Sequence, residues 1–249
     1  MNEQSSANKV AWEYRAYEFW MKRDGPPKDK AIELMKNPLG SLKKHQVYFN
    51  NVEGKKIANL CGSNGRRAVP LALLGADVTI FDISVENERY AKELAYYANT
   101  SITYVVTDLY DIDLKTYGNS FDILYLEGGI LHYFKDIDKL MTILSSLLKK
   151  NGTMILSDYH PFLKCLNEDF TVKQTYFDSE LQTGEVAFKQ FFPEEEQVDF
   201  PAVSIRLYTL SEIINSLISA AFKLDRLDEH RGWKNENIPW EFTIVARKL

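Results

Sequence analysis

An open, doubly wound α/β sheet is predicted by three observations along this chain of 249 residues. Between residues 55 and 160, short apolar runs alternate with stretches of helical character, the pattern of a mostly parallel sheet covered by helices on both faces. The first run leads into a turn of small residues, Cys61-Gly62-Ser63-Asn64-Gly65, and the next ends on a carboxylate, Asp82. Beyond residue 222, two further runs are joined so that they pair most simply as antiparallel neighbours.

Taken in order, residues 1–50 read as an N-terminal helical cap. Trp12, Arg15, Phe19 and Trp20 recur at roughly helical spacing before Arg23-Asp24-Gly25-Pro26-Pro27 stops the helix, and a second helix is expected over 29–36. The cap either covers an edge of the sheet or closes as a lid over a ligand. The main domain, 51–249, opens with strands expected at 56–60, 77–82, 102–107, 121–126 and 153–158. Helices are expected between them at 66–74, 85–97 and 136–149, with Ser84 as an N-cap and Gly75 and Gly152 as C-caps. An insertion then occupies about 162–208. Alternation over 170–177, with a partner run over 185–192, suggests a β-hairpin. A helix over 209–221, capped by Thr209 or Ser211, and strands over 223–229 and 240–247 close the chain.

Composition narrows the function. A net charge of -5 argues against general affinity for nucleic acid, and no apolar run is long enough to cross a membrane. Two cysteines, Cys61 and Cys165, are too few for a disulfide framework or a structural zinc site, and no metal is expected. A reduced, cytoplasmic setting is the default. The aromatics of the leader and insertion, Trp12, Phe19, Phe162, Phe170, Tyr176, Phe177, Phe191 and Phe192, suit an apolar pocket wall, or else a buried hairpin or a homodimer contact.

In an open sheet of this kind, ligands bind beyond the carboxyl ends of the strands. The turn 61–65 has almost no side-chain bulk to keep a ligand from the backbone at a helix start. Asp82 follows Gly65 by 17 residues, near the offset at which a carboxylate grips ribose hydroxyls. The strand ends gather Asp82, Asp108, Glu127 and Asp158 and no basic side chain; Arg66-Arg67 reads as the start of a solvated helix. Such a rim suits a sulfonium-bearing adenosine better than a pyrophosphate.

These motifs together resemble the class I S-adenosylmethionine-dependent methyltransferases over about 54–161, and more loosely over the closing strands. NLCGSNG stands at the family's glycine-rich turn, VTIFDIS at its ribose-binding strand end, and VVTDLYDID at its adenine-contacting pair. FDILYLEGGILHYF and LLKKNGTMILSDYHPF match its fourth and fifth strands. The resemblance implies a seven-stranded sheet of order 3-2-1-4-5-7-6 with the last strand antiparallel. It also implies S-adenosylmethionine as cofactor and methyl transfer to a small-molecule O, N, C or S acceptor. Cofactor contacts would come from Asn59, Cys61, Gly62, Ser63, Gly65, Asp82, Ile83, Asp108, Leu109, Glu127 and Gly128, with Asp82 holding both ribose hydroxyls. Glu127, His132 and His160 are the candidate bases, and Tyr14, Arg15 and Tyr17 candidates for the cofactor carboxylate or substrate. The chain departs from the family pattern at Asn59, usually acidic, and at Cys61 and Ser63, usually glycines. An NAD(P)-dependent oxidoreductase and a non-catalytic cofactor-binding module are the alternatives.

Overall fold

The computed structural model describes residues 1–249. Four helices lead the chain: α1 (Glu3–Glu13), α2 (Ala16–Asp24), α3 (Pro27–Lys36) and the short α4 (Pro38–Ser41). The expected single leader helix is broken at Arg15, whose left-handed φ of 54° turns α2 away from α1. The central sheet holds β1 (Lys56–Leu60), β2 (Asp77–Asp82), β3 (Thr103–Val106), β4 (Phe121–Glu127) and β5 (Leu148–Tyr159). Around these strands lie α5 (Ala68–Leu73), α6 (Val85–Tyr97), α7 (Leu114–Tyr117) and α8 (Ile137–Leu147). The insertion contributes α9 (Pro161–Lys164), β6 (Leu181–Glu185), α10 (Glu194–Gln197) and β7 (Ala202–Arg206), and α11 (Leu210–Ser219) with β8 (Phe222–Arg231) and β9 (Pro239–Lys248) completes the fold.

The strand order is β3-β2-β1-β4-β5-β9-β8, with β1 to β5 parallel and β9 antiparallel to both neighbours. That is the expected 3-2-1-4-5-7-6. Side chains alternate between two cores because neighbouring residues of a strand face opposite ways. Ala58, Leu60, Leu124 and Leu126 meet Leu140 and Leu144 of α8 and Leu217 of α11. Ile57, Val78, Ile80 and Tyr125 meet Leu71 and Ala91 on the other face. Helix starts are capped as their sequences suggest: Ser84 accepts from Asn87 N, and Thr209 with Glu212 forms a reciprocal capping box. Gly152 does not cap α8. It lies within β5, and Asn151 takes the left-handed turn at φ 63° beside an irregularity in the β4–β5 register.

The expected hairpin of 170–177 with 185–192 does not form. Instead β6 pairs with β7 in a separate two-stranded sheet. Val172 and Phe177 are 72% and 77% exposed, so the alternating run has no buried face to hold it as a strand. The residues after β6 are used otherwise: Val186, Phe188, Phe192, Phe200 and Val203 join Phe19, Trp20 and Tyr90 in a third core. Phe188 is its centre, stacked on Phe19 at 4.9 Å and meeting Trp12 edge-on at 5.5 Å. This aromatic core binds the leader helices and the insertion to α6, directly above the strand ends.

Phe188→Ala is expected to cost about 3–5 kcal/mol in urea unfolding, the usual range for deleting a buried phenylalanine. Limited proteolysis is expected to cut faster between residues 165 and 180. A loss under about 1 kcal/mol would show that these aromatics do not form a packed core.

Candidate functional site

A cavity of about 740 Å³ lies over the carboxyl ends of β1 to β5, beneath residues of α1, α2 and the segment 187–191. Its base includes Cys61, Gly62 and Ser63. Cys61 and Ser63, where the resembling family carries glycines, both adopt left-handed φ, 50° and 51°. The turn therefore keeps a glycine-type path at a backbone cost of about 1–2 kcal/mol per residue. Burial raises the Cys61 thiol pKa well above its ordinary value, with Asp82 next in effect, so it is no thiolate nucleophile. Gly65, expected against the ligand, faces the other way: a Cβ there would stand 2.9 Å from that of Ala91. It lets α6 pack close and does not line the cavity. A Cβ at Gly62 would stand 2.6 Å from Asn59 Oδ1, so the small residue is needed there. Asn59 donates Nδ2 to Tyr125 O at 3.1 Å, while its buried Oδ1 has no partner.

Asp82, Ile83, Asp108 and Leu109 line the same cavity. Asp82 accepts from Ser63 N at 3.0 Å, Ser84 N at 3.1 Å and Asn87 Nδ2 at 3.1 Å. Burial raises its pKa, and those donors oppose the rise. A carboxylate offers about four acceptor positions, so these bonds leave room for about one more donor. Asp108 caps the turn that follows it by accepting from Tyr110 N, and its buried Oδ2 has no partner.

At the end of β4, Glu127 is ion-paired: Arg67 Nε lies 3.1 Å and Arg66 3.6 Å from its Oε1. Burial pushes the Glu127 pKa up, but Arg67 and Arg66 outweigh it and hold the group below the ordinary glutamate value. It is thus a poor base, and its work is to hold the two arginines. Both arginines line the cavity, so they neither start a solvated helix nor leave the rim without basic groups. The reason is local: α5 begins only at Ala68, and the turn before it aims residues 66 and 67 inward. Gly128 and Gly129 follow with φ of 101° and 80°, and a Cβ on Gly129 would run into the Tyr159 ring. Asp158 anchors this loop by accepting from Ile130 N at 2.9 Å and Leu131 N at 2.8 Å.

Neither candidate histidine reaches the cavity. His132 packs against Tyr133, with ring centroids 4.1 Å apart, and burial lowers its pKa well below the ordinary value. His160 caps α9 by accepting from Phe162 N, and its Nε2 turns to Glu229 at 3.0 Å. Tyr14, Arg15 and Tyr17 also lie outside: Tyr14 packs on Phe200, Arg15 pairs with Glu18 and Glu196, and Tyr17 donates to Glu93. Of the expected aromatic wall, Trp12, Phe19 and Phe191 line the cavity, whereas Phe162, Phe170, Tyr176, Phe177 and Phe192 do not.

Arg23, Lys44 and His45 complete the lining without having been expected. His45 Nδ1 meets the Tyr125 hydroxyl at 2.6 Å, its Nε2 is buried without a partner, and burial lowers its pKa to about 4. Nothing local marks these residues in the sequence. Arg23 reaches the site through packing of α2 on α6 and the insertion, and His45 through packing on Tyr125 of β4.

With this geometry in view, comparison with known proteins is specific. Residues 60–156 match the methyltransferase-domain family model. Over 226 residues the chain is 25% identical to an uncharacterized protein of Haemophilus influenzae, covering 80% of this chain and 83% of that one. An S-adenosylmethionine-dependent methyltransferase of Mesorhizobium loti superposes with a TM-score of 0.66 at 18% identity, over 86% of this chain and 100% of that one. The magnesium protoporphyrin IX methyltransferase of Synechocystis, solved with S-adenosylmethionine bound, gives a TM-score of 0.62 at 15% identity, over 100% and 99%. The two structures share the fold. Residues 60–156 thus match a methyltransferase domain, set in the fold that these S-adenosylmethionine-dependent enzymes share.

Two outcomes follow from the geometry. Ser63→Gly is expected to leave stability unchanged or raise it by up to about 1 kcal/mol, and Ser63→Val to lower it by about 2 kcal/mol or more, read by chemical denaturation. The second concerns His45, whose pKa falls from 6.5 unfolded to about 4 folded. Its stabilisation is complete above the unfolded value and fades as pH drops toward the folded one, because the unfolded chain then binds the extra proton. Wild type is expected to lose about 3 kcal/mol more than His45→Gln over that interval.

Proposed function

We propose that this S-adenosylmethionine-dependent methyltransferase transfers the methyl group in line to a nucleophilic O, N, C or S atom of a small molecule. The observation that carries the reading is the pair of buried carboxylates, Asp82 and Asp108, in one cavity, with Asp108 Oδ2 lacking a partner. Adenosine supplies hydroxyl and amino donors for both, and an unmet buried acceptor is costly unless a ligand meets it. Ile83 and Leu109 would flank the adenosine. The orphaned Oδ1 of Asn59 suits the cofactor's ammonium in place of the family's usual carboxylate. Cys61, Gly62, Ser63 and Gly128 would carry the methionine backbone-close. The cavity volume of about 740 Å³ lies within the usual range for ligand sites and leaves space for a second small molecule.

S-adenosylmethionine brings an already activated methyl group. The protein's share is alignment and exclusion of water, effects able to remove about 7–11 kcal/mol of barrier. Trp12, Phe19 and Phe188 line the cavity and would shield a bound cofactor from water. Of the titratable groups lining the cavity, Glu127 is paired with the arginines, Lys44 with Glu241, and His45 is neutral and weakly basic. Burial pushes the Tyr133 and Tyr159 hydroxyls up, so neither is an anion near neutral pH. An acceptor that needs no enzymatic deprotonation fits this inventory.

Titration calorimetry tests the reading. S-adenosylmethionine and S-adenosylhomocysteine are expected to bind at micromolar levels, and Asp82→Ala and Asp108→Asn each to weaken binding at least tenfold, about 1.4 kcal/mol. Circular dichroism melts check that both variants stay folded. Release of S-adenosylhomocysteine on incubation with a metabolite extract separates an enzyme from a binding module. Failure of both sulfur compounds to bind would contradict the proposal.

A further inference from the structure

The acceptor end of the cavity carries more positive charge than the fold or the cofactor requires. Arg23, Lys43, Lys44, Arg66 and Arg67 line it, against Glu127 and Glu241. Glu127 is shared by Arg66 and Arg67, and Glu241 is taken by Lys44. Arg23 and Lys43 pair with no carboxylate; Asp24, beside Arg23 in sequence, accepts instead from Asn64 Nδ2 at 2.9 Å. The other cavity carboxylates, Asp82 and Asp108, belong to the adenosine end. Bound cofactor deepens the imbalance, since its sulfonium and ammonium outnumber its one carboxylate.

Two of the arginines, Arg23 and Arg66, approach the same ring. The Arg23 guanidinium carbon lies 5.5 Å from the Trp20 ring centroid and that of Arg66 5.7 Å from the same ring. The groups repel each other: burial lowers the Arg23 pKa, and the neighbouring charge of Arg66 adds to the fall. Beside them stand the rings of Phe19, Trp20 and Phe191. A planar anion placed between the forks gains two charge-assisted bonds and relieves the repulsion, while a flat body attached to it meets the rings.

We propose that the methyl acceptor is a carboxylate borne on a flat apolar body, its carboxylate held between Arg23 and Arg66. This rests on the methyltransferase reading and adds the chemical class of its substrate. An acceptor of this kind arrives as an anion: a carboxylate oxygen bonds to the methyl carbon as the methyl–sulfur bond breaks, giving a methyl ester and S-adenosylhomocysteine, with the two opposite charges cancelling and no proton to remove.

The probe pair is 2-naphthoate and 2-naphthamide, alike in shape and different in charge, titrated calorimetrically into protein saturated with S-adenosylhomocysteine and into protein without it. The acid is expected to bind at least tenfold more tightly than the amide. Arg23→Gln and Arg66→Gln are each expected to erase most of that preference while changing S-adenosylhomocysteine affinity less than threefold. Equal binding of the two probes, binding of neither at millimolar concentration, or a preference that survives both substitutions would overturn the proposal. So would a large fall in S-adenosylhomocysteine affinity with the preference intact, which would assign the clamp to the cofactor's own carboxylate. Titration of S-adenosylhomocysteine alone tests the methyltransferase reading, and the probe pair without it reads the anion clamp by itself.

Discussion

The Asp82 carboxylate is the point at which the site is held together. Standing at the end of β2, it accepts from Ser63 N in the turn after β1 and from Ser84 N and Asn87 Nδ2 at the start of α6. Asn87 in turn accepts from Trp20 Nε1 at 2.7 Å, so one buried chain of bonds links strand end, turn and leader helix. Tyr104 adds a bond to Ser63 O at 3.0 Å. Ser63 N, Ser84 N and Asn87 Nδ2 would each be a donor left without this acceptor if the carboxylate were lost. The strained backbone at Cys61 and Ser63 persists because this network over-determines it, and the cavity floor keeps the shape of a glycine-rich turn without its glycines.

Above that floor the electrostatics are divided. The end lined by Asp82 and Asp108 is acidic and offers acceptors; the end near Glu127 also carries Arg66 and Arg67. Glu127 organises the second half by pinning Arg66 and Arg67 to the tip of β4, while Asp158 anchors the neighbouring loop through Ile130 and Leu131. Neither carboxylate is free to move protons. The proposed methyl transfer would draw on orientation more than on acid–base help.

The sheet was readable from the sequence because its strands are short apolar runs closed by turn residues, and the strand order followed from family resemblance. Asp82 and Asp108 were readable because a strand end constrains where its last side chains point. Other features depend on tertiary packing that no local pattern carries. Arg66 and Arg67 look like solvated charges until the late start of α5 turns them inward. Gly65 sits in a ligand-type turn, yet its missing side chain serves Ala91. His132 and His160 are adjacent to the right strands and face away from the cavity. The run 170–177 alternates like a strand, but the aromatics that follow β6 are drawn into the core around Phe188, leaving it a single bridge from Val172 to Leu166. Arg23 and His45 come from a leader whose course is set by burial of Phe19 and Trp20 in the aromatic core and of Leu42 and Phe49 against the sheet.

A crystal structure of the protein with S-adenosylhomocysteine bound tests the central claim most directly. The account predicts a ribose hydroxyl on Asp82 and the adenine amino group on Asp108 Oδ2, each within about 3.2 Å. Adenosine density elsewhere in the molecule, or an Asp108 Oδ2 still without a partner in the complex, would contradict it.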